Sequence, residues 1–181
     1  MGGRALREGT VDEALLVAWM ERLLRRAEQV GQEGEIPVAA VVLDSQARAL
    51  GWGSNRRQLH QDPLGHAELV ALARAARLRG SWRFGDCTLL VTLEPCPMCA
   101  GALIQARMGC VVFGAADPKR GGLGGCLDLS RDPSAHHSMV VIGGVKAEAA
   151  QAQLRRWFLN RRRNRARTGN QTSETATGAL G

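Results

Sequence analysis

The stretch Thr92-Leu93-Glu94-Pro95-Cys96-Pro97-Met98-Cys99-Ala100-Gly101 restricts the fold more than any other part of the chain. It ends a short apolar run, 87–93, that reads as a strand, and Pro95 stops that run because its ring removes a ladder donor. Pro97 suits the first helical position, where a missing N–H costs nothing, and small residues follow it. The two cysteines stand at i and i+3, so on a helix their sulfurs share one face within reach of a single ion. Both sit by a helix N-terminus, where the backbone dipole favours thiolate, the form that binds metal. A strand, a sharp turn and a helix are therefore required here, with half a metal site at the junction.

The other half lies upstream, in Asp62-Pro63-Leu64-Gly65-His66-Ala67-Glu68, which opens a run of strong helix formers. His66 adds a neutral imidazole to Cys96 and Cys99. Three protein ligands leave one of zinc's four tetrahedral positions open to water, which distinguishes a catalytic site from a closed structural one. Zinc lowers the pKa of such a water to about 7, and Glu68 is the candidate proton carrier. Alone, a C-x-x-C also suits a redox pair or half of a four-cysteine site, and a His-x-Glu is usually only a helix start. No second C-x-x-C closes a four-cysteine site. Together and in this order they form the H-x-E and P-C-x-x-C signature of zinc-dependent nucleobase deaminases.

A length of 181 residues suits one domain, expected over 11–167, with a flexible lead-in at 1–10 and a disordered tail at 168–181. The tail is rich in Thr, Gly and Ala and lacks apolar periodicity. No apolar run is long enough to span a bilayer and the start has no signal-peptide core, so a soluble, cytoplasmic protein is expected. Cys87, Cys110 and Cys126 make poor material for a disulfide framework and read as small hydrophobes. His60, His136 and His137 have no partner at ligand spacing and read as surface histidines. A formal net charge of +7 favours an acidic partner, nucleic acid first.

Apolar residues from Leu15 to Ala27 recur at three- and four-residue steps, predicting an amphipathic helix with Asp12 at its start and Gly31 past its end. The runs 38–43 and 47–53 predict a hairpin. Asn55 directly after it suits a turn, although an amide can also hold a purine edge; the residues alone favour the turn. A helix from His66 to Gly80, a loop whose Trp82 and Phe84 cover the core, and a parallel strand-helix-strand unit (87–93, 97–107, 110–114) follow. Gly121-Gly122-Leu123-Gly124-Gly125 matches no phosphate-binding fingerprint and reads as a flexible loop. A fifth strand at 139–143 precedes a final helix from 146 to about 164, whose end carries Arg155, Arg156, Arg161, Arg162, Arg163, Arg165 and Arg167 with Trp157 and Phe158 among them. Such a helix suits stacking on unpaired bases, or else turns its aromatics to the core and its arginines to solvent.

Over about 14–163 the sequence resembles the bacterial tRNA-specific adenosine deaminases, which make inosine at the wobble position. The resemblance rests on Glu35-Ile36-Pro37-Val38, Ser54-Asn55-Arg56, His66-Ala67-Glu68, residues 91–101, Asp117-Pro118-Lys119 and the arginine-rich end. It implies a three-layer α/β/α cytidine-deaminase-like fold with a five-stranded mixed sheet flanked by helices, assembled as a homodimer. It implies one zinc per subunit on His66, Cys96 and Cys99, Glu68 as acid and base in turn, Asn55 holding the adenine, and an anticodon stem-loop, of arginine tRNA first, as substrate. The chain departs from the family pattern at Ala39, Leu64 and Gly65, which are expected to alter the pocket wall and the entry to the His66 helix, and at His136-His137-Ser138. Two other readings compete: a deaminase of a free base or nucleotide, of guanine or cytosine type, and a nucleic-acid-binding module with a structural zinc. The second needs a fourth protein ligand and gives Glu68 no purpose.

Overall fold

The computed structural model describes residues 12–177, with side chains through Ala166. The expected lead-in at 1–10 and the last four residues lie outside the described part. A five-stranded sheet in the order β2-β1-β3-β4-β5 forms the middle layer. Its strands are β1 (Ala39–Leu43), β2 (Ala49–Ser54), β3 (Thr88–Leu93), β4 (Cys110–Ala115) and β5 (Val140–Ile142). β1 pairs antiparallel with β2, as the hairpin requires, and with β3. The β3-β4 and β4-β5 pairs are parallel.

β1 is buried on both faces, which is why it reads as an unbroken apolar run. Ala40 and Val42 join the core beneath α3 (Ala67–Arg79) and α4 (Pro97–Gln105), whereas Ala39, Val41 and Leu43 join the core beneath α1 (Glu13–Gln32). The sheet is thus sandwiched between helices, the three-layer arrangement expected. α3 packs so closely on β2 that a Cβ at Gly53 would strike the carbonyl of Ala67, and one at Gly51 that of Ala71. Glycine on β2 lets the head of α3, with His66 and Glu68, lie directly on the sheet.

α1 begins at the Asp12 cap, whose Oδ1 accepts from the amides of Ala14 and Leu15 at 3.0 and 3.3 Å. It runs one residue beyond Gly31, which was expected to lie past its end, and Gly34, at φ +95°, makes the left-handed turn that follows. Gly31 instead leaves room for α5 (Ala147–Thr177): Trp157 Nε1 donates to the Gly31 carbonyl at 3.0 Å. The helix α5 passes the expected end near residue 164 and continues into the segment expected to be disordered from 168. A helix already nucleated and docked adds one backbone hydrogen bond per residue, so composition alone places its end poorly. Phe84 is buried as expected, but Trp82 is 56% exposed. A short helix α2 (Arg57–His60), too short to leave a periodic pattern, sits between the hairpin and α3. No helix among the described residues is long and apolar enough to cross a membrane.

Candidate metal centre and its pocket

His66 is the N-cap of α3 and Cys96 the N-cap of α4, both with extended backbone. Neither side chain caps its own helix. They turn towards each other instead, with Cys99 one turn into α4. His66 Nδ1 lies 3.6 Å from Cys96 Sγ and 3.5 Å from Cys99 Sγ, and the three ligand atoms fall within 4.8 Å of one another. A tetrahedral zinc with Zn–N near 2.0 Å and Zn–S near 2.3 Å requires N···S separations of about 3.6 Å. The donor set therefore fits zinc in chemistry and in spacing, with no fourth protein ligand in the cluster among the described residues.

The electrostatics agree. A hydrogen bond from Cys99 draws the Cys96 thiol down to about 3, against the opposing effect of burial and with help from His66. The same hydrogen bond, with burial, pushes Cys99 up. His66 is raised, first by its hydrogen bond to Cys96.

Glu68, in the first turn of α3, is 5% exposed. Burial is the largest influence on its carboxyl and raises it to about 7, reinforced by the Cys96 charge and opposed by its own backbone amide, His66 and Cys99. Asn55 follows β2 and is 9% exposed. Its Oδ1 accepts from Ala67 N, a free amide at the head of α3, at 3.1 Å. The side chain thus satisfies the head of α3 rather than making a local turn, and Asn55 also lines the adjoining cavity.

That cavity, of about 440 Å³, is lined by Asn55, Glu68, His66 and Cys96, by apolar Ile36, Val38 and Leu93, and by Arg57, Arg120 and Arg155. It is of a size to enclose a nucleobase. Phe158 of α5 also lines it, 44% exposed, while the neighbouring Trp157 packs on α1. The two adjacent aromatics thus leave α5 in different directions, Trp157 towards α1 and Phe158 towards the cavity.

Residues 15–115 match the model of the cytidine and deoxycytidylate deaminase zinc-binding region. A tRNA-specific adenosine deaminase of Bacillus subtilis is 34% identical over 156 residues, covering 86% of this chain and 96% of that protein. The chain belongs to the family of tRNA-specific adenosine deaminases. Zinc is the ion of the family, and His66, Cys96 and Cys99 are placed to hold it. A solved structure from work on A-to-I editing by tRNA:A34 deaminases superposes with a TM-score of 0.72 at 32% identity, covering 75% of this chain and 98% of the other. The chain is also 46% identical over 153 residues, 84% of its length, to a protein of Deinococcus radiodurans named tRNA(Ile)-lysidine synthase, of which it spans only 26%.

Against the family pattern, Ala39 does not line the pocket. Its side chain belongs to the core on the α1 side, and its amide donates to Thr92 Oγ1 at 3.3 Å. Leu64 is 59% exposed, and the methyl that Gly65 lacks would crowd Arg56. His137 Nε2 lies 2.8 Å from the Met108 carbonyl, so it ties down its loop, while His136 is exposed. Sequence reasoning missed Arg57, Arg120 and Glu94. An acidic residue ending the apolar 87–93 run, directly before Pro95 and Cys96, was the available signal for Glu94.

Proposed function

We propose that this chain hydrolytically deaminates adenosine to inosine at the wobble position of a tRNA anticodon, adenosine-34, releasing ammonia. The observation that carries the reading is one pocket in which a buried Glu68, Asn55 and the His66-Cys96-Cys99 cluster meet beneath Arg155 and Phe158. In this reading the three clustered side chains hold one zinc per subunit. Zinc bound there supplies the Lewis acidity that lets water attack near neutral pH. Glu68, raised to about 7, takes a proton from the attacking water, delivers it to a ring nitrogen of adenine and then assists departure of the amine from C6. Asn55 holds the edge of the base through its free amide hydrogens, Oδ1 being fixed on Ala67.

The arginines at the rim meet backbone phosphates and Phe158 offers a face to a base. An adenosine in a hairpin loop enters such a pocket at a smaller unstacking cost than one in a duplex. Residues 11–167 form the deaminase domain, and the chain works as a cytoplasmic homodimer on arginine tRNA. Support for these finer points is the family resemblance, the net charge of +7 and exposed apolar side chains such as Leu59 and Leu64.

The test is conversion of adenosine to inosine by zinc-loaded protein in an arginine-tRNA anticodon stem-loop, with free adenosine, cytidine and guanine in parallel. Inosine in the stem-loop alone supports the reading. Turnover of a free base or nucleoside alone removes the tRNA assignment and leaves the zinc chemistry.

A further inference from the structure

Glu94 is 3% exposed. A carboxyl group so deeply buried needs partners for its oxygens, and here the partners are backbone amides. Oε1 accepts from Leu123 N and Gly125 N at 3.0 and 2.8 Å, and Oε2 accepts from Asp117 N at 2.8 Å. All three amides belong to the loop that follows β4. Two backbone bonds fasten the same parts together: Glu94 N donates to Ala115 O and Gly122 N to Pro95 O, each at 2.8 Å.

The glycines of this loop now have a reason. A Cβ at Gly121 or at Gly125 would land on the Glu94 carboxylate. The run 121–125, expected to be a flexible loop, is wrapped around the buried Glu94 side chain. The preceding part of the same loop, with Ala116, Asp117, Pro118 and Arg120, is a wall of the cavity that holds Asn55 and Glu68. Glu94 therefore joins two things: the turn that carries Cys96, and the wall that faces whatever enters the pocket.

We propose that Glu94 is a positioning residue of this site, a latch that holds loop 116–125 against the metal-binding turn and so shapes the wall of the substrate pocket. What the wall receives rests on the deaminase reading above; the latch itself does not.

The experiment compares the wild type with Glu94→Gln, both loaded with zinc. Glutamine replaces one acceptor oxygen with an N–H donor that faces another donor, so at least one loop amide loses its partner. Expected are full zinc content, faster hydrogen exchange at the amides of Asp117, Leu123 and Gly125, and a KM for the anticodon stem-loop raised about tenfold with kcat changed less. A lower melting temperature with KM and kcat of the folded protein unchanged would make Glu94 merely structural and overturn the proposal. Loss of zinc would overturn it too, by placing the effect at the metal. Gly121→Ala disturbs the latch from the loop side with Glu94 intact, and covers the case in which Glu94→Gln does not fold. It should give the same rise in KM, and a wild-type KM would count against the latch. The exchange measurement needs no substrate: faster exchange in a protein whose wild type makes no inosine would sink the deaminase reading and leave the latch standing, whereas unchanged exchange overturns the latch.

Discussion

Glu68 and Glu94 are buried to nearly the same degree, and each lies two residues from a member of the His-Cys-Cys cluster, yet their surroundings are opposite. Glu94 is gripped by three loop amides. For Glu68, burial outweighs the donors and charges that would hold it ionised, and its carboxyl rises to about 7. Burial therefore does not tell an anchor from a proton carrier. The number of fixed donors does: a carboxyl whose oxygens are taken up by backbone amides is occupied in holding that backbone, while one left short of donors beside a metal site can exchange a proton.

The sharpest way to break this contrast is Glu68→Gln, which keeps the shape and removes the proton acceptor. Turnover of the stem-loop should fall by on the order of 10²–10⁴ while zinc is retained, read by single-turnover kinetics and metal analysis on the same preparation. A variant that keeps a tenth of wild-type turnover would mean that the two carboxylates have been assigned the wrong way round.

The raised carboxyl also has a consequence for stability in the metal-free protein. Its folded value of about 7 lies above the ordinary 4.5, so the contribution of Glu68 to stability is fully present below about 4.5 and is lost as pH rises through 7. Metal-free wild type should therefore lose stability relative to metal-free Glu68→Gln between pH 5 and pH 8, by on the order of 1–3 kcal/mol, seen in thermal or denaturant unfolding. Parallel curves would show that Glu68 is not short of donors.

Glu35 falls between the two cases. It is fully buried, and its Oε1 accepts from the amides of Gln58 and Leu59 at 2.6 and 2.8 Å, while Oε2 has no partner among the described residues. It holds α2, which carries Arg57 to the pocket, as Glu94 holds its loop. Glu35→Ala should cost about 2 kcal/mol in denaturant unfolding, because two amides lose their acceptor. Turnover should stay within a few-fold of wild type, as expected for an anchor. A loss of turnover as large as that of Glu68→Gln would erase the distinction.

The same distinction explains what was legible in the sequence. His66, Glu68, Cys96 and Cys99 were readable because their relation is local: each pair sits at the head of a helix, and the spacing within a turn decides which side chains share a face. β1 was readable because a strand covered on both sides shows an unbroken apolar run. The work of Glu94 was not, since its donors lie 23 to 31 residues away and belong to the backbone, which carries no residue signature. The glycine run could be seen but not its reason. Trp157 and Phe158 are adjacent on α5, and only the docking of that helix on α1 decides that one is packed and the other faces the pocket. Asn55 was read from its neighbours as a turn residue, and the partner of its Oδ1, Ala67 N, lies 12 residues on, where no local pattern points.

The smallest expected effect completes the series. Asp12 is a carboxylate that accepts from two backbone amides, those of Ala14 and Leu15, and it is exposed. Its grip resembles that of Glu94 in kind, but water can replace it as soon as it is removed. Asp12→Ala should cost about 1 kcal/mol of stability, as for other helix caps. It should leave kcat, KM and zinc content at wild-type values, since no wall of the pocket is tied to the start of α1. Chemical denaturation together with steady-state kinetics on the stem-loop measures both. A cost well above that of Glu35→Ala would mean that burial adds nothing to what a donor-gripped carboxylate holds together, and the difference between an exposed cap and a buried latch would have to be sought elsewhere than in access to water.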